Sequence, residues 1–266
     1  MTHDALERAW QSGRPAIGGW ISLPSTRIVE IFAGSGVYDF ILIDCQHSLI
    51  DESVAGTLLA NLHHYGAAGM VRVGINSPER IGRVLDAGAD AVIVPMVNTE
   101  GEAIAAARAC RYAPAGVRSF GPIRRDLGLD PVALEARTSC FVMIETSQAV
   151  DNVRAICEVP GVDGVFVGPG DLAISLGLYR PGEFLPPTMR DVLTHIQAEC
   201  SAAGKIAGVA AGAGQNVKHL AADGFRFMSL APDASLLMNG ARADVQLAAG
   251  DSVTSHGRTA ASPYGS

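Results

Sequence analysis

Short apolar runs punctuate this chain at 17–21, 40–43, 70–73, 91–94, 141–144, 164–167, 206–210 and 225–230. Each has the length of a buried strand and is followed by a helical pattern of apolar residues three or four apart. Those patterns cover 26–35, 52–65, 78–87, 99–110, 147–157, a segment opened by Gly170 and Asp171, 215–222 and 233–247. The boundaries are well marked. Asn76-Ser77-Pro78 sets a capping residue before a proline of the first turn. Gly36, Gly66, Gly88, Gly204 and Gly224 close helices just before the next strand. Eight strand–helix units in a row predict a single (β/α)8 TIM barrel rather than an open sheet. The barrel domain is expected over 1–248, with 249–266 a disordered tail rich in Gly, Ser, Thr and Ala. Two connections, 111–138 and 176–187, are longer than the repeat needs, and loops of that length in a compact domain often carry function.

Composition narrows the class. The 266 residues are 48% apolar, enough for a large core, and the net charge of −7 comes with no basic run, which argues against nucleic acid. No apolar stretch is long enough to span a bilayer. Residues 1–14 are polar and lack the apolar centre of a secretory signal. Five widely spaced cysteines without a CxxC pair point to a reduced, cytoplasmic protein with structural thiols.

The carboxylates Glu145 and Asp171 follow the fifth and sixth strands, which one right-handed crossover makes parallel neighbours. Strands lie roughly 4.8 Å apart. Two acids emerging at the same end can therefore hold one hard divalent cation and leave positions for water or substrate. Taken singly, Glu145 could merely end a strand and Asp171 merely cap a helix. A barrel places its chemistry at the C-terminal strand ends, which adds Asp44, Gln46 and His47 after strand two and Arg72 in strand three. His47 is a candidate base or a satisfied loop histidine. Arg72 suits a substrate carboxylate or oxyanion, or an internal salt bridge to a neighbouring acid. Gly170 and Asp171 offer first-turn amides to an anion, and the glycines flanking Pro169 allow close approach. Asp86, in the helix after strand three, is a candidate to orient His47 or a solvated helix acid. Arg118, in the 111–138 connection, is a further candidate for substrate binding. His63, His64, His195 and His219 fall in helical patterns and are read as surface or core-edge residues.

A cation, an imidazole base, a guanidinium and helix amides suit formation of an enolate next to a 2-oxo acid such as pyruvate. The other route for a barrel aldolase is a Schiff-base lysine. Only Lys205 and Lys218 occur, one before strand seven and one inside a helix, so no lysine stands at a strand's C-terminal end.

The segments Ile43-Asp44-Cys45-Gln46-His47, Val71-Arg72, Val94-Pro95-Met96-Val97, 116–122, Ile144-Glu145-Thr146 and 161–172 resemble the class II, metal-dependent pyruvate aldolases of the HpcH/HpaI type. That family includes 4-hydroxy-2-oxoheptanedioate and 2-dehydro-3-deoxyglucarate aldolases, and the likeness runs from residue 18 to 237. The resemblance implies that Glu145 and Asp171 bind Mg²⁺, Mn²⁺ or Co²⁺. It implies that His47 is the base, paired with Asp86, and that Arg72 touches the keto oxygen. Asp44 would help shape the site near a subunit boundary, and the assembly would be a homohexamer built as a trimer of dimers. The implied reaction is reversible cleavage of a 4-hydroxy-2-oxo acid to pyruvate and an aldehyde. Gln46 and Met143 depart from the glutamate and glutamine common in relatives, which changes the polarity around the metal and His47 and bears on the acceptor. A citrate-lyase-like CoA-ester lyase, an oxaloacetate decarboxylase using the same enolate, and a binding-only barrel are the alternatives.

Overall fold

The structure is a computed structural model and describes residues 13–249. The tail expected at 249–266 lies outside the described residues, save Ala249, which ends the last helix. Eight strands alternate with helices: β1 (Ala16–Ile21), β2 (Phe40–Asp44), β3 (Ala68–Arg72), β4 (Ala91–Val94), β5 (Ser139–Ile144), β6 (Gly164–Val167), β7 (Ile206–Gly212) and β8 (Phe227–Pro232). All neighbours pair in parallel, and β8 returns to β1, closing the barrel in chain order. The α-helices are α1 (Thr26–Gly34), α2 (Glu52–His64), α3 (Pro78–Asp86), α4 (Glu100–Ala109), α5 (Pro131–Ala136), α6 (Ser147–Asp151), α7 (Val153–Glu158), α8 (Pro169–Ser175), α9 (Arg190–Ala202), α10 (Gly214–Ala222) and α11 (Asp233–Ala249).

Side chains alternate across each strand, so one parity fills the barrel and the other meets the helices. Phe40, Leu42, Ala68, Met70, Ile93, Phe141, Met143, Phe166 and Phe227 belong to the inner cluster. Ile41, Ile43, Val71, Val92, Val142 and Val165 pack outward with Leu58, Leu59, Val84 and Ile196 from the helices. The floor of the barrel is aromatic. Phe227 lies 4.7 Å from Phe141, 5.4 Å from Phe166 and 6.1 Å from Phe40 between ring centroids. Each such side chain contributes about 1.5–3 kcal/mol on burial.

Several expected boundaries shift. The helix expected at 147–157 is two short helices, α6 and α7, broken at Asn152, whose Nδ2 donates to the Asn98 carbonyl at 2.8 Å. The last strand starts at Phe227 rather than 225, and Phe225 packs in the outer layer. The 111–138 connection contains a 3-10 turn at Arg125–Leu127 and α5. At the seam, buried Asp233 opens α11 and accepts hydrogen bonds from the Ser22 amide (2.9 Å), the Ser22 hydroxyl (2.6 Å) and the Leu23 amide (3.1 Å). One carboxylate thus ties the end of β8 to the end of β1.

Candidate active site

Extending the inward series of β2, β3, β5 and β6 past the core gives Asp44, Arg72, Glu145 and Gly168. The same alternation that fills the barrel with Leu42, Met70, Met143 and Phe166 therefore lifts these four residues into its C-terminal mouth. There Arg72, Glu145 and Gly168 border a cavity of about 470 Å³, lined also by His47, Trp20, Gly170, Asp171, Tyr179 and Phe184, while Asp44 lies buried behind Arg72.

Asp44 and Arg72 stand opposite each other in the β2–β3 register. Arg72 Nε donates to Asp44 Oδ1 (2.9 Å) and Nη2 to Oδ2 (2.7 Å), both side chains being buried. The guanidinium also lies over the Trp20 ring, 4.7 Å from its centroid. The salt bridge weighed for Arg72 is thus present, and it fixes one edge of the guanidinium while the residue still lines the cavity. Asp44 further accepts from the Gln46 amide (2.9 Å) and the His47 amide (3.3 Å), and the Ser48 hydroxyl donates to its carbonyl. Burial alone would raise the Asp44 carboxyl, but the Arg72 bonds and charge, helped by the two amides, hold it below the usual carboxylate range. This turn presents the exposed His47 side chain to the cavity.

Glu145 is 1% exposed. Its Oε1 accepts the Met96 amide at 2.6 Å, and Met96 adopts a left-handed backbone (φ 56). Its Oε2 is buried with no partner. Burial pushes the carboxyl up to about 7, the Met96 amide and Arg72 pull the other way, and the charge of Asp171 adds to the rise. Gly168 makes the space for this carboxylate, since a Cβ there would lie 2.6 Å from Oε2 and 2.9 Å from Met143 Cε. Asp171 sits in the first turn of α8, exposed on the same cavity. The first intrahelical bond of α8 runs from the Leu172 amide to the Gly168 carbonyl (3.1 Å), which leaves the Gly170 and Asp171 amides unused by the helix.

A hard divalent cation fits this donor set. An orphaned carboxylate oxygen, a second carboxylate beside it and a glycine cradle are what such an ion needs. Among the described residues no group of three or more His, Cys, Asp or Glu side chains converges, so Glu145 and Asp171 would be the protein's share of the ligands.

Two expected members lie elsewhere. Asp86 ends α3, and the C-terminal end of a barrel helix faces the N-terminal ends of the strands. Its carboxylate accepts from Arg118 Nη2 at 2.8 Å, and Arg118 stacks over Tyr112, 4.7 Å from the ring centroid. Burial raises the Asp86 carboxyl despite that arginine. Within one chain Asp86 therefore does not orient His47, and Arg118 does not line the cavity. Lys205 also stands at the far end, its Nζ donating to the Val162 carbonyl at 2.6 Å just before β7. Residues that sequence reasoning passed over are Trp20, Ile174, Tyr179, Phe184 and Ala210, all on the cavity wall. The length of the 176–187 segment was the signal for Tyr179 and Phe184; Trp20, Ile174 and Ala210 lie in β1, α8 and β7.

A closed parallel (β/α)8 barrel gathers two acids, a guanidinium, an imidazole and free helix amides at the mouth where barrels of this class place their chemistry. The chain belongs to the HpcH/HpaI aldolase/citrate lyase family, whose sequence model matches residues 16–240. It is 40% identical over 240 residues to a hydroxypyruvate/pyruvate aldolase of Rhizorhabdus wittichii, covering 89% of this chain and 95% of the relative. It is 36% identical over 242 residues to a 4-hydroxy-2-oxovalerate aldolase of Rhodococcus jostii, covering 88% and 92%. The crystal structure of a family protein from Burkholderia cenocepacia superposes with a TM-score of 0.83 at 30% identity, covering 93% of this chain and 99% of that one.

Proposed function

We propose that this enzyme reversibly cleaves a 4-hydroxy-2-oxo acid into pyruvate, or another small 2-oxo acid, and an aldehyde, with a divalent cation (Mg²⁺, Mn²⁺ or Co²⁺) held by Glu145 and Asp171. The observation that carries the reading is Glu145: a buried carboxylate at the head of the cavity with one oxygen left without a partner. When bound, the cation supplies Lewis acidity to the 2-keto oxygen.

The chain's own groups do the rest. The Gly170 and Asp171 amides receive the substrate carboxylate. Arg72, held by Asp44 and Trp20, presents its remaining Nη1 end to the oxygen on which negative charge develops. In cleavage, His47 accepts the C4 hydroxyl proton, directly or through a water. The C3–C4 electron pair moves into the enolate, and the aldehyde leaves. A proton returned to C3 completes pyruvate. In synthesis the same imidazole removes a C3 proton from pyruvate.

The test is exchange of pyruvate methyl protons in D₂O with a divalent metal and no aldehyde, followed by NMR, then product analysis after aldehyde is added. Metal-dependent exchange is expected, and its absence would overturn the reading. Gly168→Ala bears on the site itself. Its methyl group meets Glu145 Oε2 and Met143 Cε, so Mn²⁺ affinity, read by the free-ion EPR signal, should fall at least about tenfold.

The reading extends to assembly and location. Leu236, Leu237 and Met238 on α11 and Ile31 on α1 are exposed, whereas Val29 is core and Phe32 stacks on Tyr38. These exposed apolar side chains support a homohexamer, a trimer of dimers, in which Asp86, paired with Arg118 in its own chain, would serve a neighbouring site. No helix of the described residues is long and apolar enough to cross a membrane, and four of the five cysteines are buried, which supports a cytoplasmic setting.

A further inference from the structure

The cavity lining is of two chemical kinds. Glu145, Asp171, Arg72 and His47 are its charged or titratable members. The rest is chiefly apolar and aromatic, with Ile174, Tyr179 and Phe184 supplied by α8 and the segment after it. That apolar part is fixed in place. The Leu178 and Tyr179 amides donate to the Ala173 carbonyl at 2.8 and 3.1 Å. The Phe184 ring rests on Gly212 at the end of β7, where a Cβ would lie 2.6 Å from the ring. Leu178 and Leu185 anchor the segment in the outer core.

Among the described residues that line the cavity, Arg72 and His47 are the cationic or titratable-basic side chains. Arg72 serves the 2-oxo acid half of the reaction with one edge already held by Asp44, and His47 acts at the carbons where the two halves join. Near the apolar side, Arg180 and Glu183 carry opposite charges, and neither lines the cavity. A second carboxylate on the acceptor would therefore lie against Tyr179 and Phe184 with no cation among the described lining residues to pair it. A carbon chain there would gain about fourfold in binding per buried methylene. The volume agrees with a two-part occupant. About 470 Å³ lies well within the range of small-molecule pockets, and a three-carbon oxo acid fills only part of it.

We propose that the acceptor is an uncharged aldehyde with an apolar or aromatic body, seated on Ile174, Tyr179 and Phe184, and that aldehydes bearing a second carboxylate are discriminated against. The inference rests on the aldolase reading above and assigns the part of the substrate that reading leaves open.

The test compares butanal with succinic semialdehyde, four-carbon aldehydes with and without a terminal carboxylate, each condensed with pyruvate under Mg²⁺. The expected kcat/KM ratio favours butanal at least about tenfold. Tyr179→Arg and Ile174→Arg place a cation on the wall at positions 51% and 61% exposed, where the charge is tolerated. Each should move the ratio toward succinic semialdehyde by about tenfold or more. The ratio within one variant is independent of a general loss of activity. A wild-type preference for succinic semialdehyde, or a ratio unmoved by both substitutions, overturns the proposal. If methyl-proton exchange without aldehyde is normal while the acidic acceptor wins, only this inference falls. If exchange itself is absent, the aldolase reading falls and this one with it.

Discussion

Glu145→Gln and Asp171→Asn are each expected to lower kcat/KM by at least about 100-fold, because each removes one of the two carboxylates proposed to hold the cation while keeping shape. Exhaustive chelation should abolish wild-type turnover, and Mg²⁺, Mn²⁺ or Co²⁺ should restore it. Full activity in the chelated enzyme would falsify the metal reading. Glu145→Gln should also have an opposite effect on stability. The metal-free folded chain holds the Glu145 proton up to about pH 7, against an ordinary value of 4.5. Between those values the unfolded chain has released the proton and the folded chain has not, so folded-state stability falls as pH rises through that window. Above it, the loss is complete at about 3 kcal/mol. Glutamine has no proton to release. At pH 8 without metal, the variant should therefore melt above the wild type in calorimetry, and the two should converge near pH 4.5. The carboxylate proposed to hold the cation is then one that weakens the empty barrel.

His47→Ala should slow aldol cleavage and pyruvate methyl-proton exchange together, by about 10²–10⁴. Pyruvate binding should persist, since Arg72 and the Gly170 and Asp171 amides remain. Arg72→Ala should behave differently. It removes the proposed oxyanion partner and strips buried Asp44 of its bidentate donor, so binding and turnover should both drop. Exchange measured in D₂O without aldehyde separates these effects from acceptor choice. If His47→Ala exchanged at the wild-type rate, the proton would be moved by another group, and His47 would be left with positioning the acceptor.

Much of this architecture was legible because a barrel repeats one rule. Strand parity that sets Leu42, Met70 and Met143 inward also sets Asp44, Arg72 and Glu145 inward. The Asp44–Arg72 pair follows from equal height in adjacent strands. The same topology separates Asp86 from His47 within one chain, because a helix that starts at the mouth ends at the floor. Arg118 sits on a helix-to-strand connection and belongs to the floor for the same reason. The apolar side was illegible for a different cause. Residues 176–187 have no periodicity, and the seat of Phe184 on Gly212 joins a loop residue to the end of a distant strand. The amide of Met96 reaches Glu145 through a left-handed backbone at a non-glycine residue, which no side-chain pattern signals.

The seam at Asp233 also bears on biosynthesis. Its carboxylate meets Ser22 across a sequence separation of 211. On a ribosome adding about 5–20 residues per second, the first strand emerges roughly 10–40 s before its closing partner. Throughout that interval β1 presents a bare hydrogen-bonding edge. Nascent chains are thus exposed to pairing with one another until the last unit arrives, and growth temperature and chaperone supply should govern the yield of this protein more than the stability of the finished barrel.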